Sequence, residues 1–262
     1  MTRDELVHHL RAAGCVFAED EAELLLDAAG GDGDVLRTML DRRVAGEPLE
    51  HVVGWAEFCG LRIAVGPGVF VPRPRTEAIV AHALDLIGDA HEAVVLDLCC
   101  GSGAIGVALA HGVRARDRAV ELHATDIDPI AVGFARRAIA PYGGAAHVGD
   151  LDAPLPESLR GRVAILTANV PYVATGDIDT LPREARDHEP LATLDGGEDG
   201  LEVARRVVRL APTWLAPGGH VLIEVTPAQA PVLTDAARDI GLDPSLHSDE
   251  ELDATVFVAT RR

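Results

Sequence analysis

The chain has 262 residues, enough for one large domain or a mid-sized one plus a small one, and its 48% hydrophobic content suits a packed core rather than a disordered segment. Its formal charge of −19, with no long Lys/Arg tract, would repel a phosphate backbone and disfavours bulk nucleic-acid binding. No uncharged run is long enough to span a bilayer, and Met1-Thr2-Arg3-Asp4-Glu5 does not start a signal peptide; with Cys15, Cys59, Cys99 and Cys100 in no C-x-x-C or zinc spacing, a cytoplasmic, metal-free protein with reduced thiols is expected.

Thr2-Arg3-Asp4-Glu5 has the form of a capping box, and Leu6, Val7 and Leu10 follow at helical spacing. A second apolar set, Ala22, Leu24, Leu25 and Leu26, ends at Gly30-Gly31-Asp32-Gly33, and Val35, Leu36, Met39 and Leu40 make a third helical stripe. These short helices hold too little apolar surface for a large core of their own. From Gly54 to Val71 the pattern turns β-like: Phe58 to Val65 reads as a hairpin and Phe70 to Arg75 as an extended connector. Thr76-Glu77 then opens a helix that runs through Ile87.

Beyond it the alternation is that of a doubly wound sheet. Val94-Val95-Leu96 is a buried strand, followed by a glycine loop and a helix from Ala104. Leu122 to Thr125 is a second strand ending in Asp126, after which Asp128-Pro129 supplies an N-cap and an N1 proline. Val163 to Leu166 leads to Asn169, and Leu201 to Leu210 is helical. Pro217-Gly218-Gly219 reads as a turn into the strand Val221-Leu222-Ile223, Pro231 to Ala237 as a helix, and Thr255 to Ala259 as a final strand.

The loop Asp97-Leu98-Cys99-Cys100-Gly101-Ser102-Gly103 lies between a strand and a helix, where glycines allow a tight turn and close ligand approach. A dinucleotide site would want G-x-G-x-x-G for a pyrophosphate. An acidic start instead suits S-adenosylmethionine, which carries a cationic sulfonium and an amino acid tail and no phosphate. The same loop without a ligand is also a common strand-to-helix turn. Asp126 stands where an acidic residue meets ribose hydroxyls in nucleotide-binding α/β folds, and Asp150 is a candidate for the adenine amino group or a solvated loop carboxylate.

Asn169-Val170-Pro171-Tyr172 follows an apolar strand, at the sheet edge where such folds keep their sites. The Asn169 side-chain oxygen and a backbone carbonyl could accept both N–H hydrogens of a planar nitrogen, and Tyr172 could stack on it. Methyl transfer to that nitrogen then depends mainly on orientation. His51, His188 and Glu224 are weaker candidates, Glu224 being read as structural.

With these residues in view, the chain resembles the HemK/PrmC family of protein-(glutamine-N5) methyltransferases, which modify peptide chain release factors. The resemblance covers residues 40–262. It rests on Gly46-Glu47-Pro48-Leu49 through Gly54, and on Phe70-Val71-Pro72-Arg73-Pro74-Arg75-Thr76-Glu77 beside the family's I-P-R-P-x-T-E. Asp97 to Gly103, Gly149-Asp150-Leu151, Glu189-Pro190 and Gly196-Gly197-Glu198-Asp199-Gly200-Leu201 also match. It implies a Rossmann-like α/β class I methyltransferase sheet with a small N-terminal helical domain (1–50, docking the substrate), a β-hairpin connector (51–75) and a catalytic domain (76–262). It further implies that Cys99, Cys100, Gly101, Ser102, Gly103, Asp126, Asp150, Leu151 and Asn169 contact S-adenosylmethionine. Asn169, Val170, Pro171 and Tyr172 would hold the glutamine amide, with Phe70, Arg73 and Thr76 lining the pocket.

Two features depart from the family pattern. Its N-P-P-Y is here N-V-P-Y, which keeps the carbonyl of residue 170 but loses a fixed φ and adds an N–H. The stretch before Gly46 is shorter than the family's helical domain, so a different protein substrate stays open. So do two other readings: N-methylation of a nucleobase or small metabolite, and a non-catalytic cofactor-binding module.

Overall fold

A computed structural model describes residues 1–88 and 90–262, Arg183 in its backbone only. Helices α1 (Arg3–Ala12), α2 (Ala18–Ala29), α3 (Gly33–Val44) and α4 (Leu49–Val53) come first. The capping box forms: Thr2 N–H donates to Glu5 Oε2 at 2.8 Å, and Glu5 N–H donates to Thr2 Oγ1 at 3.3 Å. Gly30, at φ 56°, ends α2 in the left-handed region that glycine tolerates best. Leu6, Leu10, Leu25, Leu36, Leu40 and Val52 share an apolar cluster of their own. Arg43 ties this unit to the rest, bonding both oxygens of Glu21 at 2.7 and 3.0 Å and reaching Glu184 at 3.4 Å.

Strands β1 (Trp55–Phe58) and β2 (Leu61–Ala64) form an antiparallel hairpin. Its two-residue turn, Cys59-Gly60, has φ of 50° and 70°, the positive pair that matches strand twist in short hairpins. Phe58 and Ile63 enter the main core, and Val71 of the connector packs on Ala56 and Val65.

The main sheet comprises β3 (Glu92–Leu98), β4 (Ala119–Asp126), β5 (Ala145–Val148), β6 (Val163–Ala168), β7 (Leu215–Glu224), β8 (Leu242–Asp249) and β9 (Ala254–Arg261). Their order is β5-β4-β3-β6-β7-β9-β8, and β9 alone runs against the others. Helices α5 (Glu77–Ile87), α6 (Ala104–Arg114) and α7 (Pro129–Ile139) bury one face. Helices α9 (Glu202–Trp214) and α10 (Ala230–Asp239) bury the other, while the short α8 (Arg183–His188) lies in the connection after β6. Covered on both faces, β3 is buried from Ala93 to Leu98 and shows no alternation, as parallel strands do. The chain moves outward from β3 to β5 and returns to β6 on the opposite side. The crevice at the carboxyl ends of β3 and β6 is therefore the topological switch point.

Three elements differ from the sequence expectation. The hairpin read at Phe58 to Val65 starts three residues earlier, its first strand being Trp55–Phe58. Pro217-Gly218-Gly219 lies inside β7, where the register with β6 slips between Val163↔Leu215 and Ile165↔His220. The irregularity accommodates Gly218 at φ 78° and interrupts the strand without ending it. Strand β8 carries Pro244 and mostly polar residues, so no apolar alternation marks it; as an edge strand it needs a partner on one side only.

Gly103 begins α6 at φ 83°, and a Cβ there would lie 3.1 Å from the Ala135 Cα of α7. The glycine is required by backbone angle and by the close approach of two helices. Gly103→Ala is expected to cost at least about 1–2 kcal/mol from the left-handed angle alone. Thermal unfolding should show a midpoint lower by roughly 2–8 °C; an unchanged midpoint would contradict this packing role.

Candidate active site

A cavity of about 840 Å³ opens over the carboxyl ends of the central strands. Cys99, Cys100, Gly101, Ser102, Asp126, Asp150 and Leu151 line one part of it. Asn169, Val170, Pro171, Tyr172, Phe70, Arg73 and Thr76 line another. Of the residues singled out in the sequence, Asp97 and Gly103 do not line it: Gly103 is occupied by the α6–α7 contact, and Asp97 lies beneath the loop.

Asp97 is fully buried at the end of β3. Its Oδ2 accepts from Gly106 N–H at 3.1 Å and its Oδ1 from the Thr167 hydroxyl at 2.9 Å. Gly106 makes room for it, since a Cβ there would sit 3.3 Å from Oδ2. The carboxyl thus joins the glycine loop, the first turn of α6 and β6, and does not line the cavity. Burial pushes it up to about 7, against the two hydrogen bonds that favour its charge.

Asp126 is placed differently. Gly101 N–H donates to Oδ2 at 2.8 Å and Asp128 N–H to Oδ1 at 2.9 Å, so the carboxylate pins the glycine loop and the start of α7. Lone pairs remain for a vicinal diol. Burial raises its pKa and these backbone bonds lower it. Cys99 at φ 53° and Leu151 at φ 48° are non-glycine residues held in the left-handed region at the cavity wall. Burial also raises the Cys99 and Cys100 thiols, so neither is poised as a nucleophile. Asp150 Oδ2 accepts from Arg206 at 2.7 Å on the cavity rim, a partner its sequence position did not reveal.

The Asn169–Tyr172 turn is held from outside by backbone contacts. Gln229 Nε2 donates to the Tyr172 carbonyl at 2.9 Å, Val173 N–H to Leu194 O at 3.0 Å, and Gly196 N–H to Val173 O at 2.8 Å. A Cβ on Gly196 would fall 2.5 Å from Pro171 O, and one on Gly200 2.2 Å from Tyr172 O, so both positions require glycine. Val170 is buried in the core cluster beside β6.

The connector supplies the facing wall. Arg73 Nη2 donates to Glu189 Oε1 at 2.6 Å, and Val71 N–H donates to the same oxygen at 3.3 Å. Arg75 bonds the Tyr172 hydroxyl, lies 5.6 Å from its ring centre and pairs with Glu224 at 3.1 Å. Tyr172 therefore has a cation beside it already. Burial raises both the Glu189 and Glu224 carboxyls, with arginines opposing the shift. Sequence reasoning missed Gln229 altogether, and the partners of Arg75 and Glu224, because these contacts lie far away in the chain. His51 Nε2 bonds the Val69 carbonyl at 2.8 Å, which gives it a structural task.

The Asp97 geometry predicts a pH effect on stability. Its folded-state value near 7 lies above the unfolded value near 3.8, so its contribution is full below the lower value and is lost as pH rises through the higher. Asp97→Asn cannot ionise and is expected to gain stability relative to the wild type between about pH 5 and about pH 8. Urea unfolding at both ends of that range measures this; a pH-independent difference would count against it.

No protein-family model matches the chain. A methyltransferase from Pyrococcus furiosus superposes with TM-score 0.53 at 15% identity, covering 86% of this chain and 98% of that one, which shows a shared fold alone. The chain is 42% identical over 185 residues to the release factor glutamine methyltransferase of Streptomyces coelicolor, a match covering 70% of this chain and 64% of that one, just under two thirds of the relative. To the protein of the same name from Bifidobacterium longum it is 36% identical over 266 residues, covering 88% of each. With the switch-point cavity, the glycine loop and the Asn169 turn in one α/β sheet, this similarity across most of both chains places the protein in the release factor glutamine methyltransferase family.

Proposed function

We propose that the protein transfers a methyl group from S-adenosylmethionine to the side-chain amide nitrogen of a glutamine in a peptide chain release factor. The observation that carries this reading is that the glycine loop with Asp126 and the Asn169–Tyr172 turn open onto one cavity. The cofactor brings a methyl on a cationic sulfonium. The residues present suit it: Asp126 keeps acceptor capacity for ribose hydroxyls, a Cβ at Gly101 would meet nothing within 4 Å, and the arginines on the wall, Arg73, Arg75 and Arg206, are each paired with a carboxylate. Cys99, Cys100, Ser102, Asp150 and Leu151 complete that wall.

An amide nitrogen is a weak nucleophile because its lone pair is delocalised into the carbonyl. The chain's task is to hold it in plane and aimed, which converts a rare encounter into a fixed one. The Asn169 side-chain oxygen and the backbone carbonyl of Val170 are the two acceptors for its N–H hydrogens, and Tyr172 packs against the group. No strong base is required when the proton leaves after the new bond forms. Beyond the turn the cavity continues along Leu181, Pro182, Glu184 and Ala185 to Glu50, giving a peptide room to extend toward the N-terminal helices. We assign docking of the substrate protein to that helical unit.

Incubation with labelled S-adenosylmethionine, purified release factor, a glutamine peptide from it, and DNA tests the reading: label is expected on the protein and peptide, and label on DNA alone would overturn it. Asn169→Ala should lower turnover by about 10²-fold with little change in cofactor affinity, and equal losses in both would contradict the amide-holding role. Asp126→Ala should weaken cofactor binding by roughly 10–100-fold, the worth of a hydrogen bond to a charged group. Calorimetric titration measures both affinities.

A further inference from the structure

The carboxylate of Glu224, at the end of β7, is buried behind the cavity wall. Its Oε2 accepts the Thr76 hydroxyl at 2.6 Å, and its Oε1 lies 3.1 Å from Arg75 Nε. Thr76 occupies the N-cap of α5, where a threonine hydroxyl ordinarily accepts a first-turn N–H, yet it caps nothing there. The buried hydroxyl instead stands between Glu224 and Asn169, whose Nδ2 is 3.4 Å away.

A hydroxyl has one proton, and an ionised carboxylate only accepts. With that proton given to Glu224, Thr76 can meet Asn169 only as an acceptor. The Asn169 nitrogen must then face Thr76, and its oxygen must face the other way. A flipped amide would set two oxygen acceptors against each other and offer an NH2 to the NH2 of a glutamine. We propose that Glu224 and Thr76 are positioning residues that set the direction of the Asn169 amide, so that it presents its oxygen to the substrate. This rests on the proposed glutamine reading for its purpose, while the direction of the amide follows from the chain of donors with Glu224 ionised. Burial raises the Glu224 carboxyl, and the Thr76 hydroxyl and the Arg75 guanidinium oppose that shift in favour of the ionised form on which the direction depends.

The composition makes the test direct. Asn169 is the only asparagine and Gln229 the only glutamine in the sequence, so nitrogen-labelled protein gives just two side-chain carboxamide pairs in a proton–nitrogen correlation spectrum. Asn169→Asp removes one pair and assigns it. In the wild type and in Thr76→Ser, one Asn169 amide proton is expected to exchange slowly with solvent; in Thr76→Val that protection should be lost. On the glutamine peptide, Thr76→Val and Glu224→Gln should lower kcat by about tenfold, the worth of one hydrogen bond, with cofactor affinity unchanged. Thr76→Ser should restore most of kcat. Unchanged protection in Thr76→Val, or full kcat in a wild-type-like Thr76→Val enzyme, overturns the proposal. A wild type that transfers no methyl to the release factor or its peptide would instead sink the glutamine reading, and the exchange measurement would still decide the direction of the amide.

Discussion

Backbone groups that leave the carboxyl edge of a parallel sheet lose their ladder partners, and a buried N–H or C=O without a partner is costly. In this protein three side chains meet that constraint. Asp97 takes the Gly106 N–H, Asp126 takes those of Gly101 and Asp128, and Gln229 takes the carbonyl of Tyr172. Each side chain joins two separate segments, so satisfying the backbone also sets the spacing between the glycine loop, the α7 entry and the Asn169 turn. The cavity is the space those spacings leave. Its shape is thus fixed by polar groups that largely sit outside it.

The charges around the site follow the same division. Asp97, Glu189 and Glu224 are buried carboxyls, each raised by burial and each held by a specific donor: Thr167 and Gly106, Arg73 and Val71, Arg75 and Thr76. Asp126 and Asp150 line the cavity and offer acceptors to it. The two arginines of the connector bridge the groups, with Arg73 over Phe70 and Arg75 beside Tyr172. A chain with a net charge of −19 thereby concentrates cations where buried acids need them.

Features carried by adjacent residues were legible in the sequence: the capping box, the glycine loop, Asp126 at its strand end, and the Asn169 turn. Each is local, and each appears at the expected place in the chain. What could not be read there has a common cause in side-chain direction and distant pairing. Asp97 begins the glycine loop in sequence, but its side chain points beneath the loop toward α6 and β6. Gly103 looks like part of a ligand loop, yet its neighbour is Ala135. Glu224 and Thr76 are separated by 148 residues, and nothing in either neighbourhood signals the other. Strand β8 escaped notice because an edge strand with polar residues has no periodicity to show.

The glycines at 196 and 200 carry a consequence for how this protein can vary. Their missing side chains are filled by the carbonyls of Pro171 and Tyr172, so no other residue fits at either place without moving the turn. Residue 170, by contrast, meets the core through an ordinary apolar side chain. Latitude in the residues that carry the chemistry therefore depends on rigidity in a loop that carries none. Drift would be tolerated first at 170 and last at 196 and 200, the reverse of the order that proximity to the reaction alone would suggest.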